Sequence, residues 1–140
     1  MSSPKFIITT HAAIIILLTT AVTCMGFSNT EIHQFQKQAN EMNKTLPKMT
    51  SSEMELTRVE FRGDSEMIYV TKTTLYNADQ INTQQMENNL KPTAVNIGCS
   101  TPNTLNLLKR GLKYTYVFYD KANIFLSEYS ITAKDCEGVK

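Results

Sequence analysis

The sequence has few of the residues with which enzymes activate a nucleophile or hold a metal ion. It contains two histidines in 140 residues, and His11 lies in an apolar leader, which leaves His33 alone. A single histidine has no partner for a Ser-His pair or a histidine metal site. The five glycines form no phosphate-binding loop, and no Cys-Cys-His cluster is present. We therefore expect no cofactor, and we interpret His33 as a solvated helix residue.

An excess of charge of either sign is also missing. The chain has 14 Lys plus Arg and 13 Asp plus Glu, and removing Lys5 of the leader leaves both signs equal. A neutral domain lacks the basic footprint of a nucleic-acid-binding protein. The acids are scattered singly rather than paired at strand ends, although side chains distant in sequence can still meet in the fold. We predict no nucleic-acid partner and favour a protein that is not an enzyme.

The leader at residues 1–26 contains the longest apolar run of the sequence and predicts export. Lys5 precedes the run, its centre is Ala12-Ala13-Ile14-Ile15-Ile16-Leu17-Leu18, and small or polar residues follow up to Gly26. We predict a secretory signal peptide followed by one domain at 27–140, in the periplasm or outside the cell. An uncleaved membrane anchor is the first alternative, because residues 6–27 are long enough to span a bilayer. A buried N-terminal helix is the second.

The three cysteines divide by position. Cys24 ends the leader, in an Ala21-Val22-Thr23-Cys24 stretch that partly resembles a bacterial lipoprotein box, with Thr23 where that motif has Gly, Ala or Ser. Cys24 is therefore a candidate lipidation site, while ordinary cleavage near Gly26 is favoured over it. Cys99 and Cys136 then remain as an even pair in an oxidising compartment, which predicts a disulfide. Such a bond would stabilise the domain by roughly 3 to 4 kcal/mol.

Hydrophobic periodicity predicts a helix and a hairpin in the first half of the domain. Ser28 and Glu31 have the spacing of a capping box, and an apolar stripe continues until Pro47. Alternating residues at 56–61 and 67–76 flank a turn at 62–65 and predict two strands. A second helix should begin after Asn77 or Asp79 and be kinked or ended by Pro92, and a further helical turn or two should lead to Cys99. Within the first helix, Asn43-Lys44-Thr45 also matches a short glycosylation motif.

The segment from Cys99 to Cys136 repeats this order. Pro102 predicts the first position of a short helix that ends at Gly111. Strands follow at 113–119 and 125–131, joined by a turn at 120–123. We predict an α+β domain in the order helix, hairpin, helices, hairpin. It should contain an antiparallel sheet of about four strands, helices packed on one face, and one disulfide.

All six tyrosines fall within the predicted strands. Half-buried packing between strands is the favoured interpretation. The alternative is that some of them emerge on the sheet face that helices leave uncovered, where they can contact a partner. The candidates for partner binding are Tyr114, Tyr116, Tyr119 and Tyr129.

Three stretches carry a resemblance to known proteins: Asn43-Lys44-Thr45-Leu46-Pro47, the run from Cys99-Ser100-Thr101-Pro102 through Leu107-Leu108-Lys109-Arg110-Gly111 into Tyr114-Thr115-Tyr116-Val117-Phe118-Tyr119-Asp120-Lys121, and Ile131-Thr132-Ala133-Lys134-Asp135-Cys136. Together they resemble a widespread group of small exported bacterial proteins. In layout, a disulfide-bonded α/β domain behind a leader, these are similar to the small pilotins of type II secretion systems. The resemblance implies a protein that binds a secretin subunit and guides it to the outer membrane.

We therefore predict a non-enzymatic, exported protein-binding module whose partner is another envelope protein. Membrane contact is expected only through the leader or through a lipid on Cys24. The alternative is a secreted or envelope enzyme, such as a hydrolase, whose acids converge only in three dimensions.

Overall fold

A five-stranded sheet forms the centre of residues 26–139, the part of the chain that the computed structural model describes. The predicted leader and its Cys24 lie outside these residues. None of the helices within residues 26–139 is both long enough and apolar enough to cross a membrane.

The elements follow the predicted order closely. They are α1 (Asn29–Asn43), β1 (Lys48–Met49), β2 (Met54–Arg62), β3 (Glu66–Thr73), α2 (Thr83–Ser100), α3 (Pro102–Lys109), β4 (Lys113–Tyr119) and β5 (Phe125–Ile131). Short 3-10 turns occupy Ala78–Gln80 and Ala133–Cys136.

Local sequence signals account for most of the helix ends. The Ser28 hydroxyl accepts a hydrogen bond from the Glu31 N–H, and the Glu31 carboxylate accepts one from the Ser28 N–H, so the predicted capping box is formed. Helix α3 begins at Pro102 as predicted, and Gly111 adopts the positive φ of 102° that leads into β4.

Helix α2 begins later than predicted and ends where the predicted further turns end, beside Cys99. Its N-cap is Asn82 rather than Asn77 or Asp79, because the chain first makes the 3-10 turn that Asn77 opens. The helix then continues through Pro92 to Ser100. A proline removes one backbone donor and can be accommodated inside a long helix that is held by tertiary packing.

The sheet is mixed, with the strand order β1-β2-β3-β4-β5, so the prediction of about four antiparallel strands is only roughly right. The two predicted hairpins, β2–β3 and β4–β5, are present and antiparallel, but β3 and β4 pair in parallel. The helical connection between β3 and β4 returns the chain to the start of β3, which makes parallel pairing necessary. Strand β1 is only two residues long and leaves no periodic signal.

The helices lie on one face of the sheet, as predicted. Ala39 of α1 packs with Val59 of β2 and Met67 of β3, while Leu90 of α2 packs on the cluster that contains Tyr129 of β5. We call this side the helix face and the opposite side the open face. Along β4, the helix face carries Tyr114, Tyr116 and Phe118, and the open face carries Thr115, Val117 and Tyr119.

The predicted disulfide is present between Cys99 and Cys136, with their Cα atoms 5.4 Å apart. Cys99 lies in the last turn of α2, and Cys136 ends the 3-10 turn that follows β5. The bond therefore joins the helical layer to the end of the sheet's last hairpin.

Candidate protein-binding groove

A groove runs along the middle of the helix face. Helix α1 packs mainly over β2 and helix α2 mainly over β5, which leaves Tyr69 of β3 and Tyr114 and Tyr116 of β4 only half-buried between the two helices. Two hollows of about 650 Å³ and 540 Å³ lie in this gap, the first between α1 and α3 and the second beside α2. Tyr69 and Tyr114 line both hollows, so the two form one continuous surface, which we call the groove.

Four tyrosines form the floor of the groove and its α2 side. Tyr69, Tyr116 and Tyr129 are cross-strand neighbours on β3, β4 and β5, with ring centroids 5.4 Å and 5.2 Å apart. Tyr114 stacks on Tyr69 at 6.3 Å, and Phe118 stacks on Tyr129 at 5.6 Å. Offset aromatic rings in contact hold one another in place, so the floor offers large apolar area in a fixed arrangement.

The floor is electrically neutral. Burial raises the pKa of the phenol groups of Tyr69, Tyr114, Tyr116 and Tyr129, and the neighbouring phenol of Tyr116 raises it further at the other three. All four side chains consequently keep their proton at physiological pH. They present apolar rings with a hydroxyl at the tip, a combination typical of protein recognition surfaces.

The walls add flexible apolar side chains at the rim. Met42 of α1 is 39% exposed at the edge of the larger hollow, and Ile97 of α2 is 62% exposed at the edge of the smaller one. Methionine can adapt to differently shaped partners because its side chain is unbranched. The remaining wall residues of α2 are also uncharged: Leu90, Thr93, Ala94 and Gly98.

The four predicted partner-binding tyrosines do not share one surface. Tyr114 and Tyr116 lie on the floor of the groove, while Tyr129 is only 7% exposed beneath α2. Tyr119 is the only one of the four on the open face, where it contacts Phe125 edge-on at 6.0 Å. The open tyrosine surface is thus mainly on the helix face, because the two helices cover its margins and leave its centre free.

Sequence reasoning did not single out Tyr69, the residue at the centre of the floor. The available signal was its position two residues after Met67 in the predicted strand, which places both on one face. That strand's pairing with β4, which brings Tyr69 beside Tyr116, was not visible in the sequence.

The glycosylation motif at Asn43 has a structural role here. The Asn43 amide nitrogen donates to the Val59 carbonyl and its amide oxygen accepts from the Val59 N–H, both at 2.8 Å. The side chain therefore pairs with β2 as a neighbouring strand would. A sugar on this nitrogen would displace the contact.

The acids with lowered pKa are engaged in structural contacts. Asp120 is fully buried, which by itself raises its pKa, but N–H donors from Ile124, Ala78 and Ala122 lower it overall. Lys113 and Thr115 contact Glu66 and similarly outweigh its burial. Within residues 26–139, no three His, Cys, Asp or Glu side chains are grouped so as to hold a metal ion.

Comparison with known proteins identifies the fold. No protein-family model and no curated protein matches the sequence. Three solved structures are similar. The pilotin EpsS of the Vibrio vulnificus type 2 secretion system is 18% identical, with a TM-score of 0.57 over 76% of this chain and 93% of its own. The pilotin AspS of the Vibrio cholerae type II secretion system is 17% identical, with a TM-score of 0.53 over 76% and 94%.

The third structure is PA3611 of Pseudomonas aeruginosa, named as a candidate secreted protein, which is 20% identical with a TM-score of 0.60 over 79% of this chain and 99% of its own. At these identities the comparisons establish a shared fold. The layout that the sequence resemblance implied, a disulfide-bonded domain like that of the small pilotins, is confirmed at that level.

Proposed function

We propose that this protein is a non-enzymatic, exported binding module whose groove receives a helix of another envelope protein. The resemblance to pilotins suggests a secretin subunit as the partner and a secretion or assembly accessory role. The observation that carries the proposal is the groove itself, with its rigid and neutral tyrosine floor. A concave, mostly apolar surface with a few polar groups is the usual form of a binding site.

The backbone of the groove favours a helical occupant. Strand β3 is paired with β2 and β4, and β4 is paired with β3 and β5, so the floor offers no free strand edge. The walls are helices, whose backbone groups are bonded internally. An extended segment would bury its own N–H and C=O groups in the groove without partners, which is costly. A helix brings its backbone hydrogen bonds with it and inserts only side chains.

Binding is better supported than catalysis by the same site. The tyrosine phenols have pKa values raised by burial, so they are poor bases at neutral pH. Asp120 and Glu66 are held by backbone or side-chain donors away from the groove. The enzyme alternative would require a different constellation of residues.

Export is the second part of the proposal. Phe27, the first residue of the predicted domain, packs edge-on against Phe35 at 5.1 Å and lies under the Arg110 guanidinium at 4.6 Å. This packing supports a folded domain that begins near residue 27. N-terminal sequencing of the exported protein should start at residues 25 to 27. Intact Met1 in the membrane fraction would indicate an anchor instead, and palmitate labelling of Cys24 would indicate a lipoprotein.

Gly98 of α2 is a position at which a larger side chain should obstruct the groove. A Cβ added at Gly98 would meet only the Thr104 methyl at 3.7 Å, an ordinary contact, and Gly98 lines the groove. Gly98→Leu should therefore fold, gain helix propensity, and fill part of the hollow. We expect at least a tenfold loss of co-purification with the secretin subunit from envelope extracts.

Asn96→Leu is the matched control, because Asn96 lies on the same helix, is exposed and does not line the groove. It should retain capture. Equal capture by both variants would exclude the groove as the binding surface. Loss of capture in both would point to helix α2 as a whole rather than to the groove.

A further inference from the structure

The two walls of the groove differ in charge, and this difference specifies the occupant. We infer that the bound helix carries acidic residues along the edge that lies against α1 and uncharged residues along the edge that lies against α2. This inference rests on the proposed function, since it describes the partner of the same groove.

The α2 side of the groove carries no charged side chain among its lining residues. It consists of Leu90, Thr93, Ala94, Ile97 and Gly98, with Thr104 contributed by α3. A charged residue of the partner placed against this wall would lose water and gain no counter-ion. Such a placement is unfavourable, so the partner's edge on this side must be apolar or small.

The α1 side is charged and has an unbalanced cation. Lys37 and Glu41 both line the groove there, together with Gln34 and Gln38. The Glu41 carboxylate is bonded to the Lys44 ammonium at 2.7 Å, so that pair is neutral. Lys37 forms no ion pair within residues 26–139, whose ion pairs all involve other cations. The α1 wall therefore has one positive charge available to a ligand.

The charge difference between the two walls also sets the rotation of the bound helix about its own axis. Its apolar stripe must face the tyrosine floor, and its acidic edge must lie beside Lys37 rather than beside Leu90. Exposed opposite charges attract weakly, so the expected contribution is about twofold to fivefold in affinity per pair. Apolar contact supplies most of the affinity, and the charge selects among apolar helices.

Synthetic peptides of defined composition test this inference without a known partner. Three amphipathic helical peptides of about 18 residues would share one apolar stripe and differ along one edge, which carries Glu, Gln or Lys. Fluorescence anisotropy with the exported protein should rank their affinities Glu above Gln above Lys. The difference in affinity between the Glu and Lys peptides should become smaller at high salt, because screening weakens exposed charge pairs.

Reversal of the rank is the decisive measurement. Lys37→Glu should bind the Lys peptide better than the Glu peptide, and Lys37→Gln should discriminate little between them. Lys121→Glu changes the net charge equally but lies in the β4–β5 turn outside the groove, so it should keep the original rank. Circular dichroism verifies that each variant is folded.

The outcomes separate the two proposals. If the groove-obstructing Gly98→Leu abolishes binding of all three peptides while their ranks differ in the unaltered protein, both proposals stand. If the peptides bind equally, or if Lys37→Glu leaves their rank unchanged, the charge inference is wrong and the groove remains. If no peptide binds, or if Gly98→Leu has no effect on binding, the proposed function itself is contradicted.

Discussion

The two faces of the sheet differ in how their apolar residues are covered. On the open face, Ile68 and Val70 are buried although the described helices pack on the other side, and their cross-strand neighbours on β2 are Glu60 and Arg58. Long charged side chains cover apolar surface with their stems while keeping their charge in water. The Glu60 carboxylate is bonded to the Arg58 guanidinium at 2.6 Å, which holds both in place.

The centre of the helix face has no such cover. Its strands present tyrosine rings, and the helices pack over the outer strands on either side. The tyrosines at the centre of the helix face form the surface that we propose a partner occupies, and four predictions test that contrast.

Breaking the disulfide should have the largest effect, because it joins the helix face to the last hairpin. Replacing Cys99 and Cys136 together by serine opens a loop with a sequence separation of 37 residues. We expect a loss of roughly 3 to 4 kcal/mol in unfolding free energy with secondary structure retained. Urea unfolding measures it. Two alkylatable thiols in the exported protein, or an unchanged melting temperature, would contradict the role assigned to the bond.

Replacing one tyrosine on each face should distinguish a core side chain from a surface side chain by the loss of stability. Tyr129 is buried beneath α2, so Tyr129→Ala should cost about 3 kcal/mol through the cavity it leaves. Tyr119 on the open face loses mainly its contact with Phe125, and Tyr119→Ala should cost about 1 kcal/mol. Thermal unfolding of the two variants measures the difference. Equal losses would show that the open face is packed as tightly as the helix face.

Partner capture should depend on the tyrosines of the groove and not on the tyrosine of the open face. Tyr114→Ala and Tyr116→Ala remove floor area from the groove and should weaken capture about tenfold, whereas Tyr119→Ala should leave it unchanged. Capture by folded variants, checked by circular dichroism, is the measurement. If Tyr119→Ala alone loses capture, the binding surface lies on the open face.

The smallest effect concerns acid stability of the open face. Contacts from Lys113 and Thr115 hold the pKa of Glu66 below its ordinary 4.5 despite the opposing effect of burial. The stabilisation is complete above pH 4.5 and is lost as pH falls through the lower folded-state pKa. Glu66→Gln should remove it, at about 1 kcal/mol or less. Glu128→Gln, exposed on the same face, is the control, and identical acid unfolding of both variants would contradict the assignment.

Local signals in the sequence predicted most elements, since each depends on neighbours along the chain. The capping box at Ser28, the helix start at Pro102 and both hairpins are of this kind. The even pair of cysteines likewise indicated the disulfide. Period-two alternation correctly placed Tyr114 and Tyr116 together on one face of β4.

Features that depend on segments distant in the sequence could not be predicted from local signals. The parallel pairing of β3 with β4 is set by the path of the helices between them, and no residue in either strand encodes it. The alternation of side chains along a strand also does not indicate which face of the sheet the helices cover, or how much of that face. The groove, with Tyr69 at its centre, follows from both, so it became visible only in the fold.

The amide of Asn43 has a consequence for solubility. Strand β1 pairs with β2 opposite Glu55 and Leu56, and no other strand within residues 26–139 lies along the outer edge of β2. An unpaired edge is a template on which another chain can add a strand and begin to polymerise. By occupying both backbone groups of Val59, Asn43 interrupts that template at its middle. An aspartate could accept from the Val59 N–H but could not donate to its carbonyl, so only the amide occupies both groups of this edge.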